Sequence, residues 1–488
     1  MLTQIANKDS RLSFWLRVRE FAVPASMIET ATARRRTGDW AGACAAAGID
    51  VDLDLRAVAR VHGRAFVSRL RADLRHLAPD LLRWHLPRVA PDGLLRPGLT
   101  VSLARYEADV AVGACGRDDT RWPVHLVVRT PPAWADAGQR FSLALWDASG
   151  SVAGDRRHPH PRPDRRFRLD LHRHLWDARR AGELRARCGA DRPPGDDPSP
   201  LDPPVLDPPV PDTELPGPGC AVDRWVAEAG IVLRAEGRTT GPVLVRLGSG
   251  RRLVLDPAGG RELHDARPVL RRATGCVSAL PVLPDAATWV LPDLELLRTG
   301  AIEAERLHPL VASALVPEYV VPEYVVPDHP VPEHAAPGPG RVPDRAGRAR
   351  LVECRGATHR IGLVDGVLAP LDHDPAEIRR EELLAALTGT PLPCLQAIDR
   401  AHRRPDCLVG VRERLVHGDV AGALAVVEGL LGPEAVLRDG ALRDELEAAA
   451  QRRITYGLFR AGLISPGPGQ DRRRPGHMRA HPRHGIPR

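Results

Sequence analysis

The last third of the chain holds the residue types best suited to chemistry: Cys354, His359, Cys394, His402 and Cys407. Thiolates and imidazoles are the ligands of zinc sites and the partners in nucleophile–base pairs. Cys354-x4-His359 spans a predicted turn, so both side chains could face one site. None of the eight cysteines forms a C-x-x-C pair, and they are spread from 44 to 407. That spacing reads as reduced, mostly buried thiols rather than a ligand set or a disulfide framework. Asp372-His373-Asp374 has the composition of a catalytic trio, but Asp374 stands before a proline and reads more simply as a helix cap.

Other clusters fail on chemistry. Asp50, Asp52 and Asp54 imitate the start of a calcium loop, which needs glycine at its sixth position and glutamate at its twelfth; here those are Leu55 and Val61. His158, His160, His172 and His174 lie close in sequence, but the arginines around them repel a cation. Lys8 is the one lysine, so no lysine beyond it can form a Schiff base or clamp a phosphate. No G-x-S-x-G, H-E-x-x-H, G-x-G-x-x-G or Walker motif occurs. The expectation is a chain with no catalytic residue, no cofactor and no metal. An enzyme centred on 350–464 is the third reading of its function.

Charge offers a second kind of site. The net charge is +7, and it is unevenly placed: 151–188 has eleven arginines against five acids, and 465–488 has six arginines against Asp471. Basic segments on a mildly acidic body suit an acidic partner such as nucleic acid. The candidate contacts are Arg60, Arg64, Arg71 and Arg75 on a predicted helix, and Arg472, Arg473 and Arg474 in the tail.

The elements that must carry these residues follow from periodicity. Residues 24–47 read as a helical hairpin opened by a Ser26–Glu29 capping box, and Asp54 could cap one long helix over 55–77. After Pro97 the period falls to two, and 99–106, 122–130, 140–147 and 166–171 read as strands. Next come a helix over 222–229, a strand over 231–235, a hairpin over 243–256 and short helices over 289–315. Asp365-Gly366 is the strongest hairpin signal of the chain. Beyond it lie a helix capped by Asp374 and four more, over about 393–403, 406–416, 419–431 and 440–461.

Proline sets the layout. LDPPV-LDPPV at 201–210 and the pentapeptide repeat VPEYV-VPEYV-VPDHP at 316–330 exclude helix and central strand. The fold class expected is multidomain α+β, with Pro-rich disordered linkers. A helical pair with a small antiparallel sheet occupies 1–188, followed by a linker over 189–219 and a small α+β domain over 220–315. A pentapeptide-repeat linker over 316–349, a hairpin plus helical domain over 350–464 and a disordered basic tail over 465–488 complete it. A hairpin over 350–371 paired with the one at 243–256 is the alternative; it would make 316–349 a loop inserted in one domain.

One octet recurs. Gly38-Asp39-x-Ala41-Gly42-Ala43-x-Ala45 returns as Gly418-Asp419-x-Ala421-Gly422-Ala423-x-Ala425. Each copy sits at a helix–turn–helix joint, with Asp as cap and small residues that let a neighbouring helix approach, and it resembles the joints of tetratricopeptide-like pairs. More broadly, residues 15–52 (WLRVREFAVPASMIETATARRRTGDWAGACAAAGIDVD) and the run 362–407 resemble uncharacterised cytoplasmic proteins of GC-rich actinobacteria. That resemblance implies a partner in MoxR-type ATPase systems. No apolar run is long enough to span a membrane, and the N-terminal stretch has no uninterrupted apolar core, so a cytoplasmic location is expected. The leading functional expectation is a non-enzymatic interaction or scaffold protein with a protein partner. Its alternative is a nucleic-acid-associated protein using 151–188 and 465–488.

Overall fold

The computed structural model describes residues 2–107, 123–147, 158–191, 205–206, 216–217, 219–247, 250–257, 268–319, 350–403, 407–432 and 436–464. Most of 189–219 and 316–349, and all of 465–488 with Arg472, Arg473 and Arg474, lie outside them. The fold is α+β in two compact units. One comprises 1–134 with 140–324 and 466–488, and the other 325–465 with the short segment 135–139.

The first unit opens with α1 (Leu2–Arg17), α2 (Ala25–Arg36) and α3 (Trp40–Ala46). Pro24 is the N-cap of α2 and no side chain caps it, so the Ser26–Glu29 capping box does not form. β1 (Ile49–Asp52) leads to α4 (Leu55–His62) and α5 (Arg64–His76). These are two helices, where one was expected, because Gly63 adopts φ +87°. That left-handed conformation ends a helix and suits only glycine cheaply. α6 (Pro79–His85) and the two-residue strands β2 (Arg88–Val89) and β3 (Leu94–Leu95) follow.

Next come β4 (Thr100–Tyr106), β5 (Val124–Arg129) and β6 (Phe141–Trp146). They pair antiparallel, and β1 adds a parallel edge on β6, giving the order β1-β6-β5-β4. The strand expected over 166–171 is instead a run of tight turns, with one bridge from Ser102 to Arg168. Its side chains are committed elsewhere: Arg166 reaches Asp285 and Arg168 reaches Asp170.

α7 (Leu184–Cys188) and β7 (Val205–Leu206) come next. β7 lies within the expected disordered linker, yet it pairs in parallel with Val269–Leu270. α8 (Trp225–Ala235) runs through the residues expected as a strand. Trp225, Ala229, Val232 and Leu233 are buried at i, i+4, i+7 and i+8. That helical period overrides the β-branched content of the segment. β8 (Val243–Arg246), β9 (Arg252–Asp256) and β10 (Val269–Arg272) form the second sheet, in the order β7-β10-β9-β8.

α9 (Asp285–Thr288), α10 (Pro292–Arg298) and α11 (Pro309–Leu315) close the first unit. Leu296, Ile302, Leu307 and Val311 enter the same core as Phe14, Trp84 and Phe141. Polar pins reinforce the contact. Trp84 Nε1 donates to Asp293 Oδ2 at 2.7 Å, and Arg19 Nη2 donates to the Arg306 carbonyl at 2.6 Å. Leu310 N donates to His308 Nδ1, so the proton sits on Nε2, which donates to Asp80 at 2.8 Å. The expected separation of 1–188 from 220–315 therefore gives way to one unit. A sequence pattern shows that α10 and α11 have apolar faces, but not which core those faces enter.

The second unit begins with β11 (Arg350–Cys354), β12 (Ala357–Val364) and β13 (Val367–Pro370), an antiparallel sheet in that order. Asp365 and Gly366 both have positive φ, as a two-residue hairpin turn of this twist requires. Among the described residues this sheet pairs only within itself, and the alternative pairing with the 243–256 hairpin is not made. α12 (Pro375–Thr388) starts at the Asp374 cap, with proline at its first position, and stops at Gly389 in the left-handed region. α13 (Pro393–Arg403), α14 (Leu408–His417), α15 (Val420–Leu431) and α16 (Ala441–Ala461) complete it. Its larger core gathers Ala401, Val411, Leu415, Ala423, Val427, Leu431 and Leu442. Among the described residues, no helix is long and apolar enough to cross a membrane.

Candidate functional site

The expected basic surface survives only in part. Arg60, Arg64, Arg71 and Arg75 are all exposed. On α5, Arg64, Arg71 and Arg75 share an arc of about 40°. Among the described residues of the 151–188 patch, most arginines pair with carboxylates. Arg166 pairs with Asp285, Arg168 with Asp170, Arg180 with Glu183, Arg187 with Glu228, and Arg173 and Arg179 with Asp73 and Asp177. These arginines hold the fold together and do not form an open phosphate-binding face.

The histidines of this region do the same work. His158 bonds to the Thr130 carbonyl, and His172 lies between the Arg168 carbonyl and Glu228. They do not converge on a metal. Asp50 pairs with Arg140, and Asp54 caps α4.

Two cavities of the first unit also fall short. One, of about 60 Å³, lies among Arg11, Trp15, Trp84, His85, Phe167 and Trp289. That volume holds a few waters rather than a substrate. The other, of about 270 Å³, is lined by Arg105, Arg168 and Arg173, each already paired with a carboxylate.

The second unit contains a different kind of cluster. Cys354 is the last residue of β11, and its register places it diagonally across from His359 on the same face of the sheet. His373 follows β13 and precedes the cap of α12, and Cys394 stands in the first turn of α13. The Sγ atoms of Cys354 and Cys394 and a ring nitrogen of His373 all lie within 4.8 Å of one another. Both thiols are fully buried. Burial, then a hydrogen bond with Cys354, pushes the Cys394 thiol up to about 11. A thiol held protonated in this way is a poor nucleophile, which argues against cysteine catalysis.

The imidazoles are incompletely satisfied. His373 Nε2 and His359 Nδ1 are buried without a hydrogen-bond partner, and the two rings stack with centroids 4.2 Å apart. His373 Nδ1 lies 3.5 Å from Glu377 Oε2, and Arg355 Nη1 donates to Glu377 Oε1 at 2.8 Å.

Of the five residues singled out in sequence, the structure thus unites Cys354, Cys394 and, beside them, His359. Cys407 stays outside the group at the start of α14. His373 is the member that sequence reasoning missed, because its two aspartate neighbours and the helix cap drew the interpretation. The expected absence of any metal site is at odds with this convergence.

The remaining feature is α12 itself, which buries none of its residues. Comparison with protein-family models, curated proteins and solved structures finds no match.

Proposed function

We propose that this chain is a non-enzymatic protein-interaction protein and that α12 carries its main contact. The observation behind this reading is the apolar edge of that helix. Leu383, Leu384 and Leu387 are 69%, 50% and 86% exposed. Their i, i+1 and i+4 spacing gathers them within about 100° of the helix circumference. A contiguous apolar patch on a helix fits a groove on a partner protein better than it fits water. The paired arginines of 151–188 weigh against the nucleic-acid alternative, and the buried Cys394 thiol, raised to about 11, weighs against an enzyme in the second unit. MoxR-type ATPases, implied by the resemblance of a stretch that includes α12, are the first partner to try.

The test is affinity capture from native lysate with the full chain and with Leu383→Asp/Leu387→Asp. The substitutions should release specific proteins captured by the full chain, and nuclease should not. Capture that survives the substitutions, or that nuclease abolishes, overturns the proposal.

A further inference from the structure

We propose that Cys354, His373 and Cys394 bind a zinc ion, with His359 as the fourth ligand, and that this site ties the β11–β12 hairpin to the starts of α12 and α13. The inference stands apart from the interaction reading, and either can fail without the other.

Four observations support it. The donor set is two thiols and imidazole, the soft-to-borderline combination that favours tetrahedral zinc over magnesium or calcium. The three donor atoms lie within 4.8 Å of one another. Ligand atoms of a tetrahedral zinc site lie roughly 3.3–3.8 Å apart, given metal–ligand bonds of about 2.0–2.3 Å. Small side-chain rotations close that gap.

The second observation is the unsatisfied nitrogens. Buried polar atoms without partners are uncommon in folded proteins, and an unplaced ion is one of their ordinary explanations. His373 Nε2 and His359 Nδ1 are two such atoms at one place. A disulfide between Cys354 and Cys394 would leave both unexplained. For His359 to bind, its ring must turn out of the stack with His373.

Third, the outer groups suit a metal. Glu377 lies 3.5 Å from His373 Nδ1, on the ring edge opposite the free Nε2. A carboxylate there holds the proton on Nδ1 and leaves Nε2 to bind, as it does behind many zinc histidines. Arg355 fixes Glu377.

Fourth, the apolar core at the hairpin end of the unit is small. The buried apolar cluster around the site consists of Cys354, Leu392 and Cys394. Small folding units with so little core commonly rely on metal or disulfide crosslinks.

The experiment uses the tag-free full chain, purified with zinc present, and measures metal content by mass spectrometry. About one zinc per chain is expected, lost in Cys354→Ser/Cys394→Ser. Histidines 477, 481 and 484 of the tail are retained in both, so adventitious zinc on the tail cancels in the difference. Cobalt should give a thiolate charge-transfer band that the double variant lacks.

Alkylation of the unaltered chain supplies a reading that does not depend on the fold of the double variant. Cys354 and Cys394 should be protected until a chelator is added, while the exposed Cys276 reacts throughout. His359→Ala should weaken zinc binding, and unchanged affinity would remove His359 from the ligand set. Equal metal content in both chains, equal alkylation with and without chelator, or a Cys354–Cys394 disulfide in a non-reducing peptide map overturns the proposal.

Discussion

The two units are held together by different means. The first buries Trp84, Trp176 and Trp225 almost completely and threads its core with polar pairs: Arg166 with Asp285, His308 with Asp80, and Glu228 among His172, Arg187 and Arg224. In the second, residues 350–464 contain no tryptophan, α12 buries nothing, and two small clusters share the core. Regular secondary structure is plentiful in both, so helix and strand formation does not distinguish them. The difference lies in what fixes the elements against one another. In the first unit, buried polar pairs specify one arrangement of many apolar surfaces. In the second, we propose that the same specification falls to the Cys354–His373–Cys394 cluster.

The largest expected effect separates the units by chelation. Structural zinc contributes about 10–16 kcal/mol in zinc-finger peptides, comparable to the whole stability of a domain. Chelation should therefore abolish hydrogen-exchange protection in peptides spanning β11 to α13 and leave those of α5 and α6 unchanged. Loss of protection in both units, or in neither, would break the comparison.

The counterpart in the first unit is Asp285→Ala. Arg166 Nη2 and Nε meet the two Asp285 oxygens at 2.6 and 3.1 Å. Removing the carboxylate leaves a buried guanidinium unpaired, at a cost of about 3–5 kcal/mol. Tryptophan fluorescence, which reports on the first unit, should show the denaturant midpoint fall, with protection of α14 and α15 unchanged. A shift below about 1 kcal/mol would mean that Arg166 finds water.

Acid should also act mainly on the first unit. The His85 imidazole is 4% exposed, and burial, with His308, Arg88 and Arg19 close by, lowers it to about 3. Unfolded, it titrates near 6.5. The unfolded chain then binds the proton first, so the contribution is complete above about pH 6.5 and is lost as pH falls toward 3. The loss is up to about 1.4 kcal/mol per pH unit. His125, His158 and His174 are shifted in the same direction by burial. Asp293, 4.0 Å from His85 and raised by burial, opposes them. Unfolding followed by tryptophan fluorescence between pH 7.5 and 4.5 should show falling stability, with a smaller slope in His85→Phe. A flat profile would show that these imidazoles reach solvent.

What could be read in sequence was local. Asp365-Gly366 at a hairpin, Asp374-Pro375 and Gly389 bounding α12, and Asp39 and Asp419 as caps all rest on backbone chemistry within a few residues. What could not be read was long-range. Alternation over 166–171 suggested a strand, but Arg166 answers to Asp285, 119 residues away. The apolar faces of α10 and α11 gave no sign of the core they enter. Cys354, His373 and Cys394 come from three separate elements, so no spacing rule could join them. Cys354-x4-His359 was the one local hint, and it contains neither His373 nor Cys394.

The recurring octet gives the finest comparison, because the same joint occurs in both units. Gly38 and Gly418 end a helix at φ +81° and +89°. Asp39 Oδ1 accepts from Gly42 N at 2.8 Å, and Asp419 Oδ1 from Gly422 N at 2.9 Å. The other oxygen binds Arg34 in one copy and Arg414 in the other. A neighbouring helix was the expected reason for the glycines, but the nearest obstacle to a Cβ on Gly422 is the Asp419 carboxylate, whose Cγ would lie 2.7 Å away. The surroundings differ. Arg34 and Asp39 are 54% and 41% exposed, whereas Arg414 and Asp419 are 19% and 7%. Asp39→Ala should therefore cost about 0.5–1 kcal/mol and Asp419→Ala about 2 kcal/mol. The cap also decides the glycine. Gly422→Ala should be destabilising by about 1 kcal/mol in the unaltered chain, through overlap with the carboxylate. With Asp419→Ala already in place, the overlap is gone and alanine should stabilise the helix by about 1 kcal/mol. A double-mutant cycle on thermal unfolding measures this sign change. Equal effects of Gly422→Ala in both backgrounds would show that the glycine serves something other than its own cap.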